Sequence, residues 1–136
     1  MKTIEPYLFA SGRADEMIAY YTQALDAEVS MRMTFAEGPQ SGHPMPPGWK
    51  DKVMHASLTV GDRQLMISDG DTDRPAQFDG FRLSLTSSNE AWVRRAFEVL
   101  SAGGSVQMPL SPTFWSPAFG MVTDKFGIGW MVSLAQ

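Results

Sequence analysis

Apolar positions recur with two different periods along this chain. Ile4 to Ala10 is short, apolar and aromatic, and predicts a strand broken by Ser11-Gly12. From Ala14 onward, Met17, Ile18, Tyr21 and Leu25 recur at three- and four-residue steps, one face of an amphipathic helix. Asp15 and Glu16 suit the positive end of its dipole. Glu28 to Phe35 alternates, with Val29, Met31, Met33 and Phe35 on one side, and predicts a strand. Ala36 to Lys52 carries Gly38-Pro39, Pro44 and Pro46-Pro47-Gly48-Trp49, so it can be neither helix nor central strand. Loops this long in small domains are often functional lids. Val53 to Val60 and Arg63 to Ser68 flank Gly61-Asp62 and predict a hairpin.

Asp69 to Gln77 is a polar linker without apolar periodicity, and the pattern then restarts. Phe81 to Thr86 is a strand, and Ser87-Ser88-Asn89 offers helix caps. Ala91 to Leu100 is a helix with Trp92, Ala96, Val99 and Leu100 as buried candidates, stopped by Gly103-Gly104. Val106 to Leu110 is a strand and Ser111 to Pro117 an aromatic loop. Phe119 to Thr123 and Ile128 to Leu134 form a last hairpin across Asp124-Lys125-Phe126-Gly127, a turn with no assigned chemistry. The order β-α-β-β-β therefore appears twice, an internal repeat. The expectation is one α+β domain over residues 1–136, with module one at 1–70, a linker at about 71–79 and module two at 80–136. Each half alone is near the lower size limit for independent folding.

Strand alternation separates two faces. Met54, Ala56, Leu58 and Val60 oppose His55, Ser57 and Thr59, while Leu65 and Ile67 oppose Gln64, Met66 and Ser68. Phe81, Leu83 and Leu85 oppose Arg82, Ser84 and Thr86. Ile128, Trp130, Val132 and Leu134 oppose Gly129, Met131 and Ser133. The apolar face must meet the helices. The mixed face lines a cleft or meets solvent. Tyr7 falls on the helix-facing side and is expected in the core, as are Tyr20, Tyr21, Trp92 and Phe97.

Composition narrows the function classes. The formal charge is −4 and the charges are scattered, which argues against a nucleic-acid partner. The chain has no cysteine, which excludes disulfides, thiolate catalysis and cysteine-ligated zinc. No signal-peptide pattern and no apolar run of roughly 20 residues is present, so a soluble cytoplasmic protein with no membrane partner is expected. Phosphate-binding and dinucleotide-binding glycine motifs are absent from the sequence. So is a nucleophile elbow.

Particular stretches carry a family resemblance. They are Pro6-Tyr7-Leu8-Phe9, Tyr20-Tyr21 with Ala24-Leu25, Pro47-Gly48-Trp49, and Lys52-Val53-Met54-His55-Ala56. They continue with Leu65-Met66-Ile67-Ser68-Asp69, Thr113-Phe114-Trp115, and Phe119 to Gly127 running into Trp130-Met131. With the doubled βαβββ order, the chain resembles the vicinal oxygen chelate superfamily of glyoxalases, extradiol dioxygenases and bleomycin-resistance proteins. Within it, the chain resembles the PhnB-like branch. The resemblance implies curled sheets around a cleft, helices on the outer faces and a homodimer. It also assigns the mixed strand faces to the cleft.

Metal-dependent members of that superfamily take ligands from the first and last strands of each module. Carried over by position, these places fall near Pro6, Met66, Arg82 and Met131. None is a carboxylate or imidazole, and thioether sulfur suits mainly copper(I). The expectation is no metal and no cofactor, with Met66 and Met131 as an apolar, adaptable floor. The expected ligand-binding residues are Gln64, Met66, Ser68, Arg82, Ser84, Met131, Trp49, Phe114 and Trp115. Arg82 reads as a partner either for an anionic ligand or for a nearby carboxylate. The three aromatics read either as a cover over the ligand or as packing and dimer contacts. His55 is the candidate catalytic residue, either as acid/base or as a hydrogen-bond donor, with a structural histidine as the alternative. His43 lies in the proline-rich loop. The preferred function is binding of a small, partly apolar molecule, of sequestration or resistance type. The alternative is an enzyme, metal-independent through His55 or metal-dependent through unusual ligands.

Overall fold

Buried side chains at helical spacing and alternating strand residues organise this chain twice over. The computed structural model describes residues 1–40 and 42–136. The chain divides into two compact units, Met1–Ala76 and Gln77–Gln136, with the boundary inside the 71–79 linker.

The first unit runs β1 (Tyr7–Phe9), α1 (Ala14–Leu25), β2 (Glu28–Thr34), a 3₁₀ turn (Trp49–Asp51), β3 (Val53–Val60) and β4 (Arg63–Ser68). The second runs β5 (Leu83–Ser87), α2 (Glu90–Ser101), β6 (Ser105–Ser111), β7 (Phe119–Thr123) and β8 (Gly129–Leu134). The sheet orders are β1-β4-β3-β2 and β5-β8-β7-β6. In each sheet the first strand pairs parallel with the last, and the remaining pairs are antiparallel. The result is an α+β fold of two tandem βαβββ modules. Among the described residues no helix is long and apolar enough to cross a membrane.

Each helix packs on its own sheet, α1 against β2, β3 and β4, and α2 against β5, β6, β7 and β8. In the first unit the core gathers Met17, Ile18, Tyr21 and Leu25 with Leu8, Val53, Ala56, Leu58, Leu65 and Ile67. In the second, Val93, Ala96, Phe97 and Leu100 are buried along α2. Ala96, Phe97 and Leu100 are buried as expected and Val93 joins them, while Trp92 and Val99 are only half-buried at the edges of the stripe. Tyr20 is likewise half-buried. Close approach fixes two glycines. A Cβ on Gly104 would fall 2.1 Å from the Thr123 carbonyl oxygen, and one on Gly120 would fall 2.7 Å from the Phe97 ring.

The first strand is shorter than its apolar run suggests. Pro6 has no N–H to offer the ladder, although its carbonyl accepts from Met66 N at 3.1 Å. The Glu5 carboxylate instead takes the Gln64 N–H at 2.9 Å.

The two helices start differently. Asn89 caps α2 locally, its side chain accepting from Trp92 N at 3.0 Å. No side chain at the Arg13 cap position does this for α1. Instead Asp69, assigned to the linker by sequence, turns inward and is only 1% exposed. Its Oδ1 accepts from Ala14 N and its Oδ2 from Val53 N, both at 2.8 Å. One carboxylate thus joins the start of α1 to the start of β3 from the end of β4. The turn at Asp124 also has a structural role. Its carboxylate accepts from Phe126 N, Ile128 N and the Trp130 indole.

Removing the Asp69 carboxylate strands two buried N–H groups, and such groups cost about 1–3 kcal/mol each. We expect Asp69→Ala to lower unfolding stability by about 3 kcal/mol, read from urea midpoints at unchanged m-value.

Candidate functional site

Strand register places the mixed face of each module row by row. In the first unit one row reads Tyr7, Met66, Ser57, Met31 across β1, β4, β3 and β2. Next to it on the same face, Phe9 stands beside Ser68 and His55 beside Met33. In the second unit the corresponding rows are Ser84, Met131, Met121, Met108 and Thr86, Ser133, Phe119, Ser111. Met66 and Met131 therefore hold the same place in their modules, each beside the first strand.

The register corrects two expectations. The first-strand residues level with these methionines are Tyr7 and Ser84, not Pro6 and Arg82. Tyr7 is also not a core residue: Leu8 is buried, while Tyr7 is 41% exposed on the mixed face. A three-residue strand made wholly of apolar side chains carries no alternation, so its sequence alone could not tell which face Tyr7 occupies.

Tyr7 leads to the polar feature of this face. Adjacent strands lie about 4.8 Å apart, so a side chain reaching from β1 to β3 must cross β4. The Tyr7 phenol does so, and its Oη lies 2.8 Å from His55 Nδ1. His55 Nε2 in turn lies 2.9 Å from Ser57 Oγ. Phe9 stacks on the Tyr7 ring at 5.2 Å and 15°. Burial pushes the Tyr7 phenol above its ordinary pKa, because desolvation disfavours the phenolate.

The other expected residues take varied places. Gln64 is exposed on β4. Ser68 is buried, and its hydroxyl accepts from Gly70 N at 3.0 Å. Ser84 is exposed on β5, and Met131 is half-buried on β8. Arg82 precedes β5, and its Nη1 donates to the carbonyls of Val122 and Trp130 at 3.2 and 3.3 Å. Its stem covers Gly129, where a Cβ would fall 3.0 Å from Arg82 Cγ. Its guanidinium thus bonds to backbone carbonyls of its own sheet.

Trp49 is buried rather than poised over an open face. Its indole N–H donates to the Gly70 carbonyl at 2.7 Å, and its ring lies against Gly12. Lys52 Nζ completes this fastening with a bond to the Gly12 carbonyl at 2.9 Å. The loop ending at Trp49 borders a pocket of about 690 Å³ that Phe35, Pro39, Met45 and Trp49 help to line. His43, also on that lining, has its Nε2 2.8 Å from Asp71 Oδ2. Phe114 is 93% exposed and meets Trp115 edge-on at 4.7 Å. Trp115 meets Phe119, a member of the module-two rows, at 5.2 Å.

A divalent ion needs carboxylate or imidazole donors. The level pairs Tyr7–Met66 and Ser84–Met131 supply neither, so these donor sets do not fit one. Among the described residues no group of three or more His, Cys, Asp or Glu could hold a metal ion.

The family described as the Glyoxalase/Bleomycin resistance protein/Dioxygenase superfamily matches residues 3–132. The protein YjdN of Escherichia coli (strain K12) is 34% identical over 140 residues, spanning 98% of this chain and 95% of YjdN. Protein PA1353 from Pseudomonas aeruginosa is 42% identical at a TM-score of 0.86, over 100% of this chain and 99% of that one. The PhnB protein from Bacillus cereus is 26% identical at a TM-score of 0.79, over 98% of this chain and 100% of that one.

The raised phenol pKa makes a pH prediction with a definite sign. The stability it contributes is full below the unfolded tyrosine value near 10 and is lost as pH rises through the folded value. In an absorbance titration at about 295 nm, the wild type minus Tyr7→Phe difference should therefore rise above pH 10. A difference centred below pH 10 would contradict the desolvated environment.

Proposed function

Because the chain belongs to the Glyoxalase/Bleomycin resistance protein/Dioxygenase superfamily, in its PhnB-like branch, we propose that it binds a small, partly apolar molecule without a metal. The observation that carries this reading is the matched pair of rows. Methionine stands level with tyrosine in one module and with serine in the other. Thioether and aromatic side chains there make soft, adaptable surfaces for apolar ligands. Binding by itself then suits a sequestration or resistance role, exercised as a cytoplasmic homodimer. Val106, Met108, Phe114 and Trp115 are exposed apolar side chains available for a partner copy.

The Tyr7–His55–Ser57 chain supports a second reading, an enzyme in which His55 moves a proton. A base within hydrogen-bond reach of its partners is the geometry such a step requires. Once a turnover is known, His55→Ala should lower kcat by about 100-fold or more on this reading, and an unchanged kcat would overturn it.

A thermal-shift screen against neutral apolar compounds tests the preferred reading. A true ligand at 100 times its Kd stabilises the fold by about 2.7 kcal/mol. Met66→Glu should weaken a ligand held on the module-one face at least tenfold, about 1.4 kcal/mol, by placing an unpaired charge there, and Met131→Glu should do the same to a ligand held on the module-two face. Elemental analysis of the freshly purified protein should find no stoichiometric manganese, iron, nickel or zinc. A stoichiometric metal, or a screen without any stabilising compound, would overturn the proposal.

A further inference from the structure

Tyr7, His55 and Ser57 form one hydrogen-bonded chain on the module-one face, and in its neutral form the imidazole gives that chain two self-consistent settings. A neutral histidine donates from one ring nitrogen and accepts at the other. With the proton on Nε2, His55 donates to Ser57 and accepts at Nδ1 from Tyr7. The phenol oxygen then offers only a lone pair outward. With the proton on Nδ1, His55 donates to Tyr7 and accepts from Ser57, and the phenol O–H turns outward. The hydroxyls of Tyr7 and Ser57 rotate to suit either setting. Ser57, 7% exposed, is the closed end of the chain, and Tyr7 is its open end.

We infer that Tyr7 is the polar anchor of a ligand on this face, and that the His55 tautomer decides whether the anchor donates or accepts. The face then takes flat, uncharged molecules bearing one hydroxyl or one carbonyl. This inference rests on the proposed binding function. Phe9 stacked on Tyr7 and the thioethers of Met31, Met33 and Met66 supply the apolar surroundings. Neither row of this face contains Asp, Glu, Lys or Arg, so an anionic ligand would meet no compensating cation among them. Burial keeps the phenol neutral, which both settings require.

The test uses the full chain labelled with ¹⁵N-histidine and ¹³C-methyl methionine, with 1-naphthol, 2-acetonaphthone and 1-naphthoate as probes. The two histidine ring spectra are assigned with His43→Gln. Naphthol and acetonaphthone should shift the Met31, Met33 and Met66 methyl signals, and naphthoate should not. Naphthol should move the His55 ring nitrogens toward the Nε2–H tautomer, and acetonaphthone toward Nδ1–H. Tyr7→Phe should weaken both neutral probes about tenfold while the methionine spectrum of the free protein stays native-like. Binding of both probes with an unmoved His55 tautomer, or naphthoate binding as well as naphthol, would overturn this inference alone. Silence of the methionine methyls toward all three probes would overturn the binding function, and this inference with it.

Discussion

Much of module one depends on the carboxylate of Asp69. Helix α1 begins without a capping side chain at its own cap position, and β3 begins at the end of a long proline-rich loop. Both starts expose backbone N–H groups inside the core, where an unpaired donor is expensive. Asp69 pairs one of each with its two oxygens. Where β3 begins, the placement of His55 two residues further on is set as well. Module two meets the same requirement differently. There the Ser116 hydroxyl accepts from Ala118 N and bonds to the Leu134 carbonyl, and Asn89 caps α2 locally.

With the strand starts held, register follows, and register has functional consequences. A strand slipped by one residue would send every side chain to the opposite face. In the observed register Leu58 and Ile67 lie in the core, and Ser57 and Met66 stand side by side on the other face. The same arrangement recurs in module two, so Met66 and Met131 occupy equivalent places. The repeat is therefore one of side-chain placement as well as of element order.

The modules differ in what surrounds those methionines. Module two lines up Met131, Met121 and Met108 beside Ser84, with Arg82 bonded to carbonyls of its own sheet. Module one interrupts its methionines with Ser57 and His55 and joins both to Tyr7. The side-chain chain from Tyr7 through His55 to Ser57 is thus a feature of module one, set among Phe9, Met31, Met33 and Met66.

The sequence by itself determined the two βαβββ modules, the hairpins at Gly61-Asp62 and Asp124–Gly127, the apolar faces of β3, β4 and β8, and the family. It did not determine the facing of β2, where a bulge parts Val29 from Met31, or of Phe81, which lies exposed before β5. What it did determine rests on periods of two and 3.6 residues and on turn chemistry, which are local properties of a chain. His55, Met66 and Met131 were legible for the same reason, since each lies on a strand long enough to show alternation. Tertiary structure alone decided the rest. Tyr7 lies on a three-residue strand, and only its parallel pairing with Met66 shows which way it faces. Asp69 reads as a linker residue until Ala14 and Val53 approach it from distant parts of the chain. Trp49 reads as a free aromatic until Gly12 and Gly70 enclose its ring and its N–H. In each case the partner is remote in sequence, so the pairing that gives the residue its role exists only once the chain has folded.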